Sequence, residues 1–222
     1  MGKRRFLALL LPLLVWGLIF VGWGLDDLRG FFAHPARLGA FVFALLVTAF
    51  LLMSQADVDP FRTGARPLGR QRWLLGIFAA IVMFLAWFLA QADRRGVFVF
   101  ADADLLRYVG LALNVGGATL RLAGLRTLGR QFSGYVTLQE DHQLIQTGIY
   151  RLIRHPMYLG GLLAFPGWAL VFRSRLAIPL AVLMGVFVAV RVVQEEKLLA
   201  ERFGAEFDAY RRRTWRLLPY LY

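Results

Sequence analysis

The sequence contains no cysteine and only three histidines among its 222 residues. Without cysteine, the chain cannot form a disulfide bond, and it offers no thiolate as a nucleophile or as a metal ligand. The histidines, His34, His142 and His155, are too few and too scattered to predict a metal site. We therefore expect neither a disulfide framework nor a metal centre.

Charged residues are also scarce, at 18% of the chain, whereas hydrophobic residues reach 59%. Soluble domains contain about 25% charged and roughly 45–50% apolar residues, so this excess excludes a water-soluble fold. A bilayer crossing takes about 20 apolar residues. Runs of this kind, some weaker than others, cover residues 6–25, 38–54, 73–90, 105–120, 157–172 and 176–190. We predict an all-α, polytopic membrane bundle with six transmembrane helices, or five if the last hairpin does not fully span.

Lysine and arginine are distributed unevenly between the predicted loops of this strongly basic chain, whose net charge is +12. The N-terminus, segments 55–72 and 121–156 and the tail are rich in them, whereas the alternate loops are poorer. Positively charged loops stay in the cytoplasm, so both termini are predicted to be cytoplasmic, in a bacterial inner membrane. Because the arginines separate apolar runs, they indicate contact with membrane lipids and not with nucleic acid. The oligomeric state stays open.

The C-terminal residues 196–213 combine charged residues with apolar ones at helical spacing. This pattern predicts an amphipathic helix that lies on the membrane surface or caps the bundle. We divide the chain into N-terminal transmembrane helices, residues 1–125, and a region that carries the chemistry, residues 126–222. The recurring apolar positions of the tail are Leu198, Leu199, Phe203, Phe207 and Tyr210.

Residues 129–160 differ from the rest of the chain because they are polar, aromatic and basic. A loop of this length between membrane helices is more often functional than idle. Pro156 is expected to start the next helix, where its missing N–H is tolerated. A second polar group, Arg191 and Glu195, has i,i+4 spacing and therefore shares one helix face. Taken alone, that pair would be read as a simple salt bridge.

The order of these motifs resembles the isoprenylcysteine carboxyl methyltransferases and the related phospholipid methyltransferases. Arg154-His155-Pro156, followed by Glu195-Glu196, is similar to the RHP…EE signature of that family. The resemblance covers about residues 126–219. Its further pieces are His142-Gln143-Leu144-Ile145 for H-x-L-V, Gly148-Ile149-Tyr150 for G-x-Y and His155-Pro156-Met157-Tyr158 for H-P-x-Y.

The resemblance implies an integral membrane methyltransferase that uses S-adenosylmethionine (SAM) on a lipophilic acceptor from the bilayer. Arg191 would face the substrate, and Arg191 and Glu195 would be the catalytic residues. At the position of a family glutamine this chain has Tyr135, so that contact is not carried over. The residues implied to line the cofactor are His142, Gln143, Leu144, Ile145, Tyr150, His155, Pro156, Met157, Tyr158 and Glu195.

The chemistry of these side chains is compatible with that function. Tyr150 and Tyr158 offer aromatic faces to adenine or to a positive sulfur, and Glu195 can accept hydrogen bonds from an ammonium or a ribose. A carboxylate acceptor needs no general base and could be anchored by Arg191, so we predict carboxyl methylation. Two alternatives stay open: a phospholipid N-methyltransferase and an NADPH-dependent sterol-type reductase. The reductase is disfavoured because this chain has Met157 and Gly161 where such enzymes typically have an asparagine and an acidic residue. The acceptor itself stays open as well.

Overall fold

The structure, a computed structural model, describes residues 3–53, 69–101, 103–129 and 143–219. These ranges contain α-helices and short 3-10 turns, and their only extended pairings are isolated bridges. The predicted all-α fold class is therefore confirmed. The helices are α1 (Lys3–Trp23), α2 (Leu28–Ala33), α3 (Pro35–Met53), α4 (Gly69–Arg95), α5 (Asp104–Leu128), α6 (Pro156–Val171), α7 (Ala177–Phe203) and α8 (Ala205–Arg212).

Within the described part of the chain, three helical segments are long and apolar enough to cross a membrane: Pro35–Met53, Gly76–Arg95 and Ala177–Phe203. Pro12–Trp23 and Pro156–Val171 are apolar but shorter. Along α7, large apolar side chains are exposed, as expected for a surface that faces lipid rather than water. The chain is an integral membrane protein, whereas the number of crossings, six or five, stays a prediction.

The helices coincide with the apolar runs, but their ends differ from those predicted. α6 begins at Pro156, as expected, and a turn at 172–176 joins it to α7. The backbone of Arg173 in this turn has a positive φ of 43°, an uncommon conformation for a residue other than glycine. α7 continues to Phe203, well past the end of its apolar run. As a result, Arg191 and Glu195 lie on the same unbroken helix as the apolar residues before them.

The amphipathic tail is confirmed, although it is not one continuous helix. α7 ends at Phe203, and Gly204 adopts a positive φ of 50° before α8 begins. A left-handed conformation at this point ends a helix readily, because glycine has no Cβ to clash. α8 then buries Phe207 and Tyr210 and exposes most of its charged residues.

The described residues fall into two compact units, each assembled from separate stretches of the chain. The first unit takes residues from Met1–Gln55, Arg72–Val115 and Phe165–Leu180. The second takes residues from Ala56–Gln71, Gly116–Ala164 and Ala181–Tyr222. The division into 1–125 and 126–222 concerns function and stays a prediction.

The first unit contains a buried ionic cluster. Asp93, which is 2% exposed, accepts hydrogen bonds from Arg107 at 2.7 and 2.8 Å, from Arg37 at 3.0 Å and from Arg173 at 2.7 Å. Arg37 and Arg173 belong to the alternate predicted loops, which are poorer in lysine and arginine, but here they bind a buried carboxylate. A buried charge is tolerated only when it is paired, so these contacts connect α3, α4, α5 and the α6–α7 turn.

Candidate active site

The candidate site lies in the second unit, where the start of α6 packs closely on α5. A Cβ added to Gly117 would lie 2.5 Å from the carbonyl oxygen of Gly160, and the reverse contact has the same distance. Only glycine allows the two backbones to approach this closely. The close packing holds the first turn of α6, which carries Met157 and Tyr158, against α5.

Tyr158 connects the two α7 residues that the sequence singled out. Its hydroxyl donates a hydrogen bond to Oε2 of Glu195 at 2.8 Å and accepts one from Nε of Arg191 at 3.4 Å. The guanidinium carbon of Arg191 also lies 5.7 Å from the ring centroid of Phe187, within the range of a cation–π contact. The predicted site residues Tyr158, Arg191 and Glu195 therefore come together, and we call them the triad.

Glu195 keeps part of its carboxylate available for a ligand. Its Oε2 atom is bound by Tyr158, whereas Oε1 lies 4.0 Å from Nδ1 of His155, beyond hydrogen-bond distance. The Glu195 side chain is 37% exposed. A carboxylate on a partly exposed side chain can accept a hydrogen bond from an ammonium or a hydroxyl group.

Glu196, the next residue, has a different environment. Its side chain is 7% exposed and accepts hydrogen bonds from Nε of Arg154 at 3.0 Å and from Nη2 of Arg216 at 2.6 Å. Nε2 of His155 lies 3.4 Å from its Oε1 atom. Both carboxylate oxygens are thus engaged by protein groups, so Glu196 stabilises the fold, whereas Glu195 faces the site.

His155 lies between these two glutamates and is 4% exposed. Its ring centroid is 5.7 Å from that of Tyr158. Among the described residues, its Nε2 atom is buried without a hydrogen bond of acceptable geometry. This nitrogen faces Oε1 of Glu196 at 3.4 Å, whereas Nδ1 lies 4.0 Å from Glu195, so the ring lies between the buried Glu196 and the triad.

Tyr150 belongs to a 3-10 turn, Gly148–Arg151, and is also buried. A Cβ on Gly124 of α5 would lie 3.3 Å from the Tyr150 hydroxyl, so the ring points toward α5. Its carbonyl oxygen accepts a 2.7 Å hydrogen bond from the hydroxyl of Tyr210. Burial raises the pKa of Tyr150, and burial likewise raises the pKa of Tyr210 to about 12. Both phenols are therefore neutral at physiological pH.

The predicted segment 142–145 is only partly described. His142 lies outside the described residues, and its role stays a prediction. Gln143 is exposed, and Leu144 and Ile145 are half-buried in an irregular stretch. The cofactor contacts of these three residues stay predictions as well.

Sequence reasoning missed several side chains around the triad. Nη1 of Arg121, counted only as a positive loop residue, donates to the carbonyl oxygen of Met157 at 3.2 Å. Its side chain passes along Gly160, where an added Cβ would meet the Arg121 Cγ at 2.6 Å. The link from Arg216 to Glu196 was also missed. These pairs are far apart in the sequence, so no helical spacing could have revealed them.

The part of the chain that contains the candidate site is similar to known methyltransferases. The model of the family described as phospholipid methyltransferase matches residues 105–206. That range includes the triad, His155, Tyr150 and Glu196. The resemblance that the motifs indicated is therefore confirmed.

Curated relatives extend the comparison. A probable protein-S-isoprenylcysteine O-methyltransferase of Oryza sativa subsp. indica is 32% identical over 121 residues, which are 51% of this chain and 61% of that protein. The corresponding enzyme of Saccharomyces cerevisiae is 31% identical over 140 residues, or 56% of this chain and 57% of that protein. The human enzyme is 30% identical over 123 residues, which are 52% of this chain and 42% of that protein. The matched region thus spans about three fifths or less of these relatives.

A solved structure is similar over a larger part of the chain. It is that of the eukaryotic intramembrane Ras methyltransferase ICMT (isoprenylcysteine carboxyl methyltransferase), with a TM-score of 0.55 and 22% sequence identity. The match covers 83% of this chain and 66% of that protein. At this level of identity the likeness concerns the fold, and it agrees with a helical membrane protein.

Proposed function

We propose that this chain, whose residues 105–206 match the phospholipid methyltransferase family, is an integral membrane methyltransferase. It uses SAM and transfers a methyl group to the carboxylate of a lipophilic acceptor of the isoprenylcysteine type. The observation that carries the proposal is the triad of Tyr158, Arg191 and Glu195 beside the buried His155, inside the matched region.

The residues around the triad fit a SAM molecule chemically. The Glu195 side chain is 37% exposed and its carboxylate can accept from the ammonium or ribose of SAM, and the ring of the buried His155 lies beside Tyr158. Tyr150 and Tyr158 supply aromatic faces for adenine or the positive sulfur. When bound, SAM supplies an activated methyl group. The other proposed contacts are His142, Gln143, Leu144, Ile145, Pro156 and Met157.

Arg191 is the proposed anchor for the acceptor carboxylate. The neighbouring Phe187 is partly exposed on α7, so Arg191 lies where polar chemistry meets an apolar surface. Val186 and Val190 are exposed on the same helix and offer that surface to a lipid tail. A carboxylate is already a nucleophile, so catalysis requires positioning and the exclusion of water more than proton transfer.

We place this site on the cytoplasmic side of a bacterial inner membrane. The support is the partition of lysine and arginine between alternate predicted loops. The same side supplies SAM, and the acceptor enters from the lipid.

Titration of the purified protein in detergent with SAM and, separately, with NADPH tests the cofactor. We expect heat of binding with SAM only. A protein that binds NADPH and gives no heat with SAM would overturn the proposal in favour of the reductase alternative.

A phospholipid N-methyltransferase is the second candidate, favoured by the description of the matching family. Its acceptor is an amine, which a neighbouring arginine would repel in the protonated form. Vesicles that contain phosphatidylethanolamine, with SAM labelled on the methyl group, provide the comparison. Labelled N-methyl lipid in the absence of any labelled ester would select this candidate.

A further inference from the structure

The tail, defined here as residues 205–216, contacts the segment 143–158 at several separate points. This segment carries most of the proposed cofactor residues. It contains only one 3-10 turn before α6 begins, so its own backbone provides few of the hydrogen bonds that would fix its conformation. The tail adds further hydrogen bonds, from its backbone and from its side chains.

The first contact is at the start of the segment. Nε2 of Gln146 donates to Oε1 of Glu206 at 3.0 Å, and the guanidinium of Arg213 donates to Oε1 of Gln146. The side chain of Gln146 is therefore held from both sides by the tail. Gln146 directly follows the proposed cofactor residues 143–145.

The second contact is at the middle of the segment. The hydroxyl of Tyr210 donates to the carbonyl oxygen of Tyr150 at 2.7 Å. Tyr210 and Phe207, both buried, hold α8 in place. The position of the Tyr150 backbone thus depends on α8.

The third contact is a short ladder of backbone hydrogen bonds beside His155. The N–H of Trp215 donates to the Leu152 carbonyl at 2.9 Å, and the N–H of Arg154 donates to the Trp215 carbonyl at 2.8 Å. The N–H of His155 donates to the carbonyl of Arg216 at 3.1 Å. The backbone on which His155 stands is therefore paired directly with the tail.

Side chains strengthen this third contact. Nη1 of Arg154 donates to the carbonyl of Arg211 at 3.2 Å and to Oγ1 of Thr214 at 3.1 Å. Both Arg154 and Arg216 bind Glu196, so this glutamate joins the tail, the segment and α7. Charge-assisted bonds in a buried place are among the stronger hydrogen bonds of a protein.

We infer that the tail is the positioning element of the proposed SAM site, and that Tyr210 and Arg216 are its main positioning residues. The inference rests on the proposed function, because it names what holds the cofactor segment in shape. Neither side chain needs to touch the cofactor. Their loss would loosen the 143–158 backbone and thereby weaken SAM binding.

Two variants test this role, each with a matched control. Tyr210→Phe removes the hydrogen bond to Tyr150, and its control is Tyr108→Phe, an exposed tyrosine of the first unit. Arg216→Gln removes the charge that binds Glu196, and its control is Arg212→Gln, exposed on α8. Arg216→Lys tests rescue by a second cation.

The readouts are the dissociation constant for SAM, hydrogen–deuterium exchange of amides 143–158 and the melting temperature, all in one detergent. We expect Tyr210→Phe and Arg216→Gln to raise the dissociation constant about three- to tenfold, as expected for one lost hydrogen bond. Exchange in 143–158 should be faster, Arg216→Lys should recover part of the affinity, and both controls should match the wild type.

The outcomes separate this inference from the proposed function. If Tyr210→Phe and Arg216→Gln lower the melting temperature but leave SAM affinity and exchange in 143–158 unchanged, the tail only stabilises the fold and the inference is wrong. If the wild type does not bind SAM, the proposed function fails. Faster exchange in 143–158 would then still support a positioning tail, and unchanged exchange would refute it.

Discussion

Replacing Glu196 with glutamine should destabilise the protein, whereas the same change at Glu195 should mainly weaken SAM binding. The two residues are adjacent on α7 and undergo the same loss of one negative charge. Their environments differ, because the Glu196 side chain is 7% exposed and that of Glu195 is 37% exposed. The pair therefore provides its own internal comparison.

The size of each effect follows from the contacts. Glu196→Gln leaves Arg154 and Arg216 without a buried counter-charge, a change that typically costs about 3–5 kcal/mol. Because the Arg216 side chain is 23% exposed and Arg154 also binds carbonyl oxygens, we expect the lower end, about 3 kcal/mol. In Glu195→Gln, the Tyr158 hydroxyl can still donate to the amide oxygen, so the loss of stability should stay below about 1 kcal/mol.

SAM affinity should show the opposite order. A charge-assisted hydrogen bond from Glu195 to the cofactor contributes about 1.5–3 kcal/mol, so its loss should raise the dissociation constant about 10- to 150-fold. Unfolding in detergent and calorimetric titration with SAM measure the two effects separately. Glu201→Gln, an exposed position on the same helix, is the matched control. Equal destabilisation by both variants, or destabilisation by Glu195→Gln alone, would refute the assignment.

Three further results are expected. Arg191→Ala should abolish methyl transfer and leave SAM affinity nearly unchanged. The control, Arg202→Ala at an exposed position, should retain both methyl transfer and SAM affinity. An equal loss of SAM affinity in the two variants would contradict this assignment. Asp93→Asn should cost about 3–5 kcal/mol of stability in an unfolding titration, because buried guanidiniums lose their carboxylate; a wild-type midpoint would contradict it. The hydrogen bond from Arg94 lowers the Asp26 pKa from 3.8 to about 2, so the stabilisation by this ion pair is complete above about pH 5 and is lost as the pH falls through about 2. Asp26→Asn should therefore flatten the acid limb of a stability–pH curve.

The long helices could be predicted from the sequence because each contains an apolar run that is visible locally. The start of α6 at Pro156 follows from the same kind of local signal. The break at Gly204 was not predicted, because a single glycine within an amphipathic pattern often continues a helix. The continuation of α7 as one helix to Phe203 was not predicted either, because the charged residues that follow the apolar run carry no apolar signal.

The site could be predicted only as far as motif order allowed. Tyr158, Arg191 and Glu195 were each singled out, but the hydrogen bonds between them join residues more than thirty positions apart. The difference between Glu195 and Glu196 depends on which side of α7 the tail covers, and no local pattern records that. The cluster around Asp93 was missed for the same reason, because its arginines come from three distant stretches of the chain.

Methyl transfer itself tests the central claim most directly. The measurement uses the protein in vesicles and SAM labelled on the methyl group. One reaction contains an S-prenylated cysteine with a free carboxylate, and a separate reaction contains the same molecule with that carboxylate amidated. We predict a labelled product only with the free carboxylate, and we predict that mild base releases the label as methanol, as it does from a methyl ester. If wild-type protein that binds SAM labels neither molecule, or labels the amidated one equally, carboxyl methylation is not its reaction.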